Sequence, residues 1–221
     1  MSNKRKYDIS FGNQNRNNNK REKVDDEEDE PNFIDVDMDI FDMGNSVSVR
    51  DNHIYFYGNV NTRNAIKLNT AIKDIRKKLM NVRLDYQVDN LKIFLHINSF
   101  GGSVFAGLSI IDTIIDSDIP IVSIVEGSAA SAATLISVVC SERVIKPNSF
   151  MLIHQMSSGF WGKMEEIKDE FINLKKLTKK LKGIYKKHTN IEKEKLKSLL
   201  KRDLWLDSAE CLELGLVDRI E

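Results

Sequence analysis

The longest apolar stretch, Ile119 to Cys140, limits the fold more than any other segment of this chain. Its length invites a membrane-spanning reading, but Pro120, Glu126, Gly127 and four serines interrupt it. Ile121-Val122-Ser123-Ile124-Val125 is rich in β-branched residues, whereas Ala132 to Cys140 is rich in Ala and reads as helix. A strand and a helix that are both apolar all round must lie inside a layered domain, strands covered by helices. The expectation is a soluble protein without a membrane span.

The flanking sequence repeats that alternation. Ser46-Val47-Ser48-Val49-Arg50 and His53-Ile54-Tyr55-Phe56-Tyr57 read as strands around a turn at Asp51-Asn52, and Gly58-Asn59 stops the second. From about Thr62, Ala65, Leu68, Ile72, Ile75 and Leu79 recur at helical spacing. Leu91 to Ile97 is the next strand, followed by a loop through Gly101-Gly102 and a helix from Ala106 to Ile115. Further strands are expected around Val144-Ile145 and Met151-Leu152-Ile153. Strands separated by single helices predict an α/β fold with parallel pairing.

Between Lys163 and Lys187 the pattern changes: Met164, Ile167, Phe171, Leu174, Leu177, Leu181 and Ile184 recur every three or four residues among charges. That spacing predicts one long amphipathic helix, roughly 37 Å at the usual rise, lying on its own domain or against a second copy. A shorter helix follows from Ile191 to Lys201. Asp207-Ser208-Ala209-Glu210 is a capping box for the last one, which Gly215 ends.

The formal charge of zero hides a segregated start. Lys4-Arg5-Lys6 and Lys20-Arg21 lie in a basic, Asn-rich block, and Asp25 to Glu30 opens an acidic one. Neither block offers enough apolar surface to offset chain entropy, so residues 1–45 are assigned as a charge-segregated tail, disordered to about residue 32. The two basic clusters also fit a bipartite nuclear-targeting signal, but a solvated tail is the favoured reading. With no secretory apolar run, and with Asp8 and the acidic block arguing against a transit peptide, the cytoplasm is expected. Cys140 and Cys211 sit in apolar or helical contexts and read as buried free thiols, not as a disulfide or metal pair.

The chemistry centres on Ser131, in Glu126-Gly127-Ser128-Ala129-Ala130-Ser131-Ala132-Ala133. A serine between strand and helix, walled by Gly and Ala, can hold its hydroxyl beside a substrate backbone, where the free N–H groups of the helix start suit an oxyanion. Taken alone, such a serine is more often a helix cap than a nucleophile. His154 in Met151-Leu152-Ile153-His154-Gln155 and Asp203 in Lys201-Arg202-Asp203-Leu204-Trp205 supply a base and its orienter. His53, His96 and His188 read as satisfied or solvated residues, Ser128 and Asp218 as structural ones. Gly101-Gly102 lacks the Lys-Ser/Thr pair of a nucleotide-binding loop.

Four segments, in order, resemble the proteolytic subunit of the Clp protease, the ClpP family. They are Ile97 to Val104, the Ala-Ala-Ser run ending at Ser131, Pro147-Asn148-Ser149 with Ile153-His154-Gln155, and Arg202-Asp203 with Ser208-Ala209-Glu210 and Gly215 to Asp218. The resemblance covers residues 46 to 220 and implies a ClpP/crotonase-like α/β fold, a spiral of ββα units with a protruding handle helix at about 163–187. It implies a serine endopeptidase with Ser131 as nucleophile, His154 as base and Asp203 as orienter. The N–H groups of Gly102 and Ala132 would form the oxyanion hole. Gly101, Ser103, Val104, Ser157 and Ser158 would flank an extended substrate, paired as an added β-strand. The family assembles as two stacked heptameric rings fed unfolded polypeptide by an AAA+ unfoldase, which consumes the ATP. No cofactor or metal is expected in this subunit, and no nucleic-acid or membrane partner.

The sequence departs from the family at Phe100 and Met156, where proline is usual, and at Ala132-Ala133, where Met-Gly is usual. Lys201 replaces an acid that helps couple the rings, and in the unfoldase-docking cleft Phe94 fits while His96 does not. Two other classes of function stand beside the peptidase: a catalytically silent ring subunit, and a crotonase-type acyl-CoA enzyme. An intact Ser131, His154 and Asp203 argue against the first, and the Pro147 to Gln155 pattern does not fit the second.

Overall fold

A computed structural model describes residues 46–221; the tail assigned to 1–45 lies outside the described residues. The strands β1 (Val47–Arg50), β2 (His53–Tyr57), β3 (Ile93–Ser99), β4 (Ile121–Ala130), β5 (Glu142–Ile145) and β8 (Arg219–Ile220) form a path in the order β1-β2-β3-β4-β5-β8. β1 and β2 pair antiparallel around the Asp51-Asn52 turn, and every later step of that path is parallel. Helices α1 (Thr62–Tyr86), α2 (Val104–Ile115) and α3 (Ala132–Val138) make the crossovers. The expected α/β architecture is therefore observed.

Alternation along the strands sorts residues between two faces. Ile54 and Phe56 of β2, and Ile93, Leu95 and Ile97 of β3, are fully buried in the main core beneath the helices. Each such side chain contributes about 1.5–3 kcal/mol by leaving water. The opposite face carries His53, Tyr55 and Tyr57 of β2 beside Phe94 and His96 of β3, with ring centroids of Tyr55 and His96 4.3 Å apart. His96 is satisfied on both nitrogens, by His53 and by Glu126, each at 2.9 Å.

β4 is the pivot of the fold and runs five residues beyond the strand expected from sequence. Val122 to Val125 pair with β5, whereas Ser128 to Ala130 pair with β6 (Phe150–Leu152). The change of partner falls at Gly127, whose φ of +81° bends the strand, and its N–H donates to the buried Ser149 hydroxyl at 2.7 Å. Gly, Ser and Ala are weak strand formers, so local propensity hides this half of β4 and tertiary pairing creates it. Ser128 is structural, its hydroxyl donating to the Asn98 side-chain oxygen at 3.1 Å.

Helix α4 (Met164–His188) is the long helix predicted from the apolar stripe. Leu181 and Tyr185 near its C-terminus are buried, while Met164, Ile167, Phe171 and Ile172 are exposed. α5 (Lys193–Leu199) is shorter at both ends than expected, and β7 (Trp205–Leu206) leads to α6 (Ser208–Glu213). Asp207 and Glu210 close the predicted capping box, with bonds of 2.8 and 3.0 Å. Arg143 holds the chain's end, donating through its backbone N–H and its guanidinium to Asp218 and at 2.8 Å to the Gly215 carbonyl.

Candidate active site

Strand register brings Ser131, His154 and Asp203 to one place. Ser131 directly follows β4, and its N–H donates to the carbonyl of Leu152, the last residue of the neighbouring β6, at 2.9 Å. His154 stands two residues past that carbonyl. β7 pairs antiparallel with β6 at Met151↔Leu206 and Leu152↔Trp205, and the same register carried two residues on sets Asp203 opposite His154. Asp203 Oδ1 lies 3.6 Å from His154 Nδ1, just beyond hydrogen-bond length. His154 is mostly buried, with 13% of its side chain exposed, against 78% for Asp203.

Ser131 does not behave as a helix cap. It occupies the N-cap position of α3 but makes no side-chain capping bond. Its backbone adopts φ +57° and ψ −122°, outside the regions a serine favours. The hydroxyl oxygen is buried and has no hydrogen-bond partner. Burying a hydroxyl unpaired costs about 1–3 kcal/mol, a sacrifice that structural serines rarely show. The hydrogen bond between Ser131 and His154 that a proton transfer needs is not formed here; such bonds often tighten only around a substrate. Burial holds the imidazole below its ordinary basicity, and the Asp203 carboxylate partly opposes that shift.

The Gly101-Gly102 loop is pressed against this elbow. Gly101 has φ +91°, and a Cβ there would stand 2.7 Å from the Ser131 Cβ and 2.6 Å from the Ala130 carbonyl oxygen. Val60 clamps the loop: its N–H donates to the Gly101 carbonyl and its carbonyl accepts from the Ser103 N–H, both at 2.7 Å. That bridging leaves the Gly102 N–H directed away from Val60. Ala132 is the first residue of α3, so its N–H has no carbonyl within the helix to bond. Ser103 caps α2 and Val104 is buried at its start, while Ser157 and Ser158 lie exposed on the loop before α4.

One feature of the elbow was not legible from sequence. Thr134 donates its hydroxyl to the Ser131 carbonyl at 2.6 Å, and its N–H donates to the same oxygen at 3.1 Å. Because its only hydroxyl proton is spent there, the Tyr185 phenol must donate to Thr134 Oγ1. Burial pushes that phenol above its ordinary pKa, which keeps it a donor. The chain of bonds thus runs from α4 to the peptide unit shared by Ser131 and Ala132. Nothing in the sequence pairs residues so far apart. Thr134→Val is expected to lose about 1–3 kcal/mol by stranding the Tyr185 hydroxyl, and Thr134→Ser to recover most of it. Thermal denaturation by circular dichroism reads both; equal midpoints for the valine variant and the parent protein would remove the chain of bonds from the fold's energetics.

Among the described residues no group of three or more His, Cys, Asp or Glu side chains could hold a metal, and no helix is long and apolar enough to cross a membrane. Cys140 and Cys211 are free and buried, and burial pushes both thiols up to about 12. A buried hydroxyl without a partner, an imidazole whose basicity burial lowers and a carboxylate 3.6 Å from its Nδ1 are the parts of a serine hydrolase.

The comparisons with known proteins agree with that class. The Clp protease family profile matches residues 48–221, and the chain belongs to this family. It is 35% identical over 139 residues to the ATP-dependent Clp protease proteolytic subunit of Deinococcus radiodurans, covering 62% of this chain and 68% of that one. Its fold matches that of a ClpP1 mutant from Listeria monocytogenes with a TM-score of 0.64 and 25% identity, over 75% of this chain and 88% of the other. The protein is accordingly a serine protease, and the ClpP-like fold expected from the motifs is observed.

Proposed function

We propose that the chain is an endopeptidase in which Ser131 Oγ attacks the substrate carbonyl while His154 takes its proton. Asp203 fixes the imidazole tautomer and favours the imidazolium that forms. The negative charge on the tetrahedral intermediate rests on the N–H groups of Gly102 and Ala132. His154 then gives its proton to the leaving amine, and water repeats the sequence to free the acyl group. The observation that carries this reading is the buried Ser131 hydroxyl, committed neither to capping α3 nor to any other bond. A fluorophosphonate probe followed by peptide mapping tests it, and labelling confined to another serine would refute it.

An extended substrate would lie along Gly101 to Val104, on the edge Val60 leaves open, with Ser157 and Ser158 on its other side. Assembly into two stacked heptameric rings is supported by the exposed apolar first half of α4, where Met164 is 68% and Phe171 57% exposed. A native mass measurement reads the ring directly. The proposed partner is an AAA+ unfoldase docking on the aromatic face of β2 and β3, where His53 stacks on Phe94 and on His96, and His96 on Tyr55. ATP would be consumed by that partner and no cofactor held by this chain. The cytoplasm is the proposed location, in keeping with two buried free thiols.

The pH dependence follows from His154, which must be neutral to accept a proton. Because burial lowers its pKa, kcat/KM should stay high at neutral pH and fall as pH drops through a value below the imidazole norm of about 6.5. Asp203→Asn removes the influence that raises this pKa, so the acid limb should move lower still while the plateau falls roughly 10²- to 10⁴-fold. Steady-state kinetics between pH 4 and 9 read both changes, and an acid limb that moves upward would contradict this pairing.

A further inference from the structure

A cavity of about 320 Å³ opens directly beside His154. Leu135 of α3, Met156, Leu181 of α4 and Leu200 after α5 make its apolar wall, beside the polar groups of Gln155, Thr178 and Tyr185. Its cations are Lys182, one residue on from Leu181, with Lys197 of α5 and Lys201, and no acidic residue lines it. Lys197 is engaged at 2.8 Å by Glu194, one turn away on the same helix. Lys182 is half-buried, and neither it nor Lys201 forms an ion pair among the described residues. Asp203, the nearby carboxylate, faces Nδ1 of His154.

The walls of this cavity fix what enters it. Leu135 lies one turn along α3 from Ala132, so the cavity adjoins both the base and the helix start that would hold the oxyanion. Neither Ser131 nor Gly102 lines it, so a substrate residue held for attack would reach it past His154 with its side chain. The space suits a methylene stem on the apolar surface ending in a group of opposite sign to the lysines. Glutamate has that form, whereas a basic side chain would meet the ammonium group of Lys182, with Glu194 shared between Lys197 and Lys201.

We propose that this cavity receives the substrate side chain on the acyl side of the cleaved bond, and that Lys182 and Lys201 make it selective for an acidic residue. The proposal rests on the peptidase reading and adds the substrate class. The ammonium groups also raise the local concentration of acidic peptides, an effect that salt weakens.

The test uses the assembled full-length protein and fluorogenic peptides that differ only in the residue before the cleaved bond: Glu, Gln, Leu or Lys. For the parent protein kcat/KM is expected to be about tenfold higher for Glu than for Gln in low salt, narrowing as salt rises. Lys182→Glu is expected to reverse that order and favour Lys, and the milder Lys182→Gln to bring the Glu to Gln ratio close to one. Peptide aldehydes ending in Glu or Gln give a second measurement, with the Glu form protecting Ser131 from fluorophosphonate at lower concentration. Native mass and Ser131 labelling report the integrity of each variant. Equal handling of Glu and Gln by a parent protein labelled at Ser131 overturns the acidic preference and leaves the peptidase reading standing. A ratio that both Lys182 variants leave unchanged overturns the role of Lys182. Absence of Ser131 labelling overturns the peptidase reading, and the cavity's role with it.

Discussion

Ser131→Ala is expected to abolish peptide hydrolysis, by about 10⁶-fold in kcat, while the domain folds and assembles as before. The substitution removes one oxygen that makes no hydrogen bond, so the structure loses no contact that the hydroxyl supplied. Relieving a buried unpaired hydroxyl should even raise stability by about 1 kcal/mol. Two opposite signs in one variant, activity lost and stability held or gained, distinguish a reactive group from a structural one. Hydrolysis of a fluorogenic peptide, fluorophosphonate labelling and a thermal scan measure the three quantities. Residual turnover within tenfold of the parent would remove Ser131 from the chemistry.

Gly102→Ala is expected to be severe for a different reason. A Cβ at this position would stand 2.4 Å from the Val60 carbonyl oxygen, a distance at which backbone must move. The residue also has φ +141°, which alanine tolerates poorly. Any shift that relieves the clash displaces the Gly102 N–H and loosens the Val60 clamp. The expected loss is about 10²- to 10³-fold in kcat with little change in KM, since the oxyanion forms only after binding. Slower labelling by fluorophosphonate, whose phosphoryl oxygen needs the same donors, gives an independent reading. A variant with altered KM and unchanged kcat would mean that the loop binds substrate and does not stabilise the oxyanion.

What could be read from the sequence was whatever a short window carries. The alternation of β2, α1, β3 and α2 follows from periodicity, and the Asp207 to Glu210 box from local capping chemistry. Ser131, His154 and Asp203 stand out because each lies in a distinctive local pattern, and strand register places them at the neighbouring ends of β4, β6 and β7. The far half of β4 escaped notice because Gly127-Ser128-Ala129-Ala130 has no strand propensity of its own and owes its conformation to β6. β7, two residues long, carries no periodic signal. Thr134 with Tyr185, and the cavity shared by α3, α4 and the α5 region, depend on packing between distant segments, which no local pattern records.

The change of neighbours along β4 sorts the consequences of damage to it. Its leading half is locked between β3 and β5, where Val125 is fully buried, so an error there would deplete the cell of folded protein. Its trailing half is held between β3 at Ser99 and β6, which carries the base just beyond its end, and Ala129 there is as buried as Val125, so an error there would disturb the site as well as the core. Lesions before Gly127 therefore strike the core alone, and lesions after it strike core and site together.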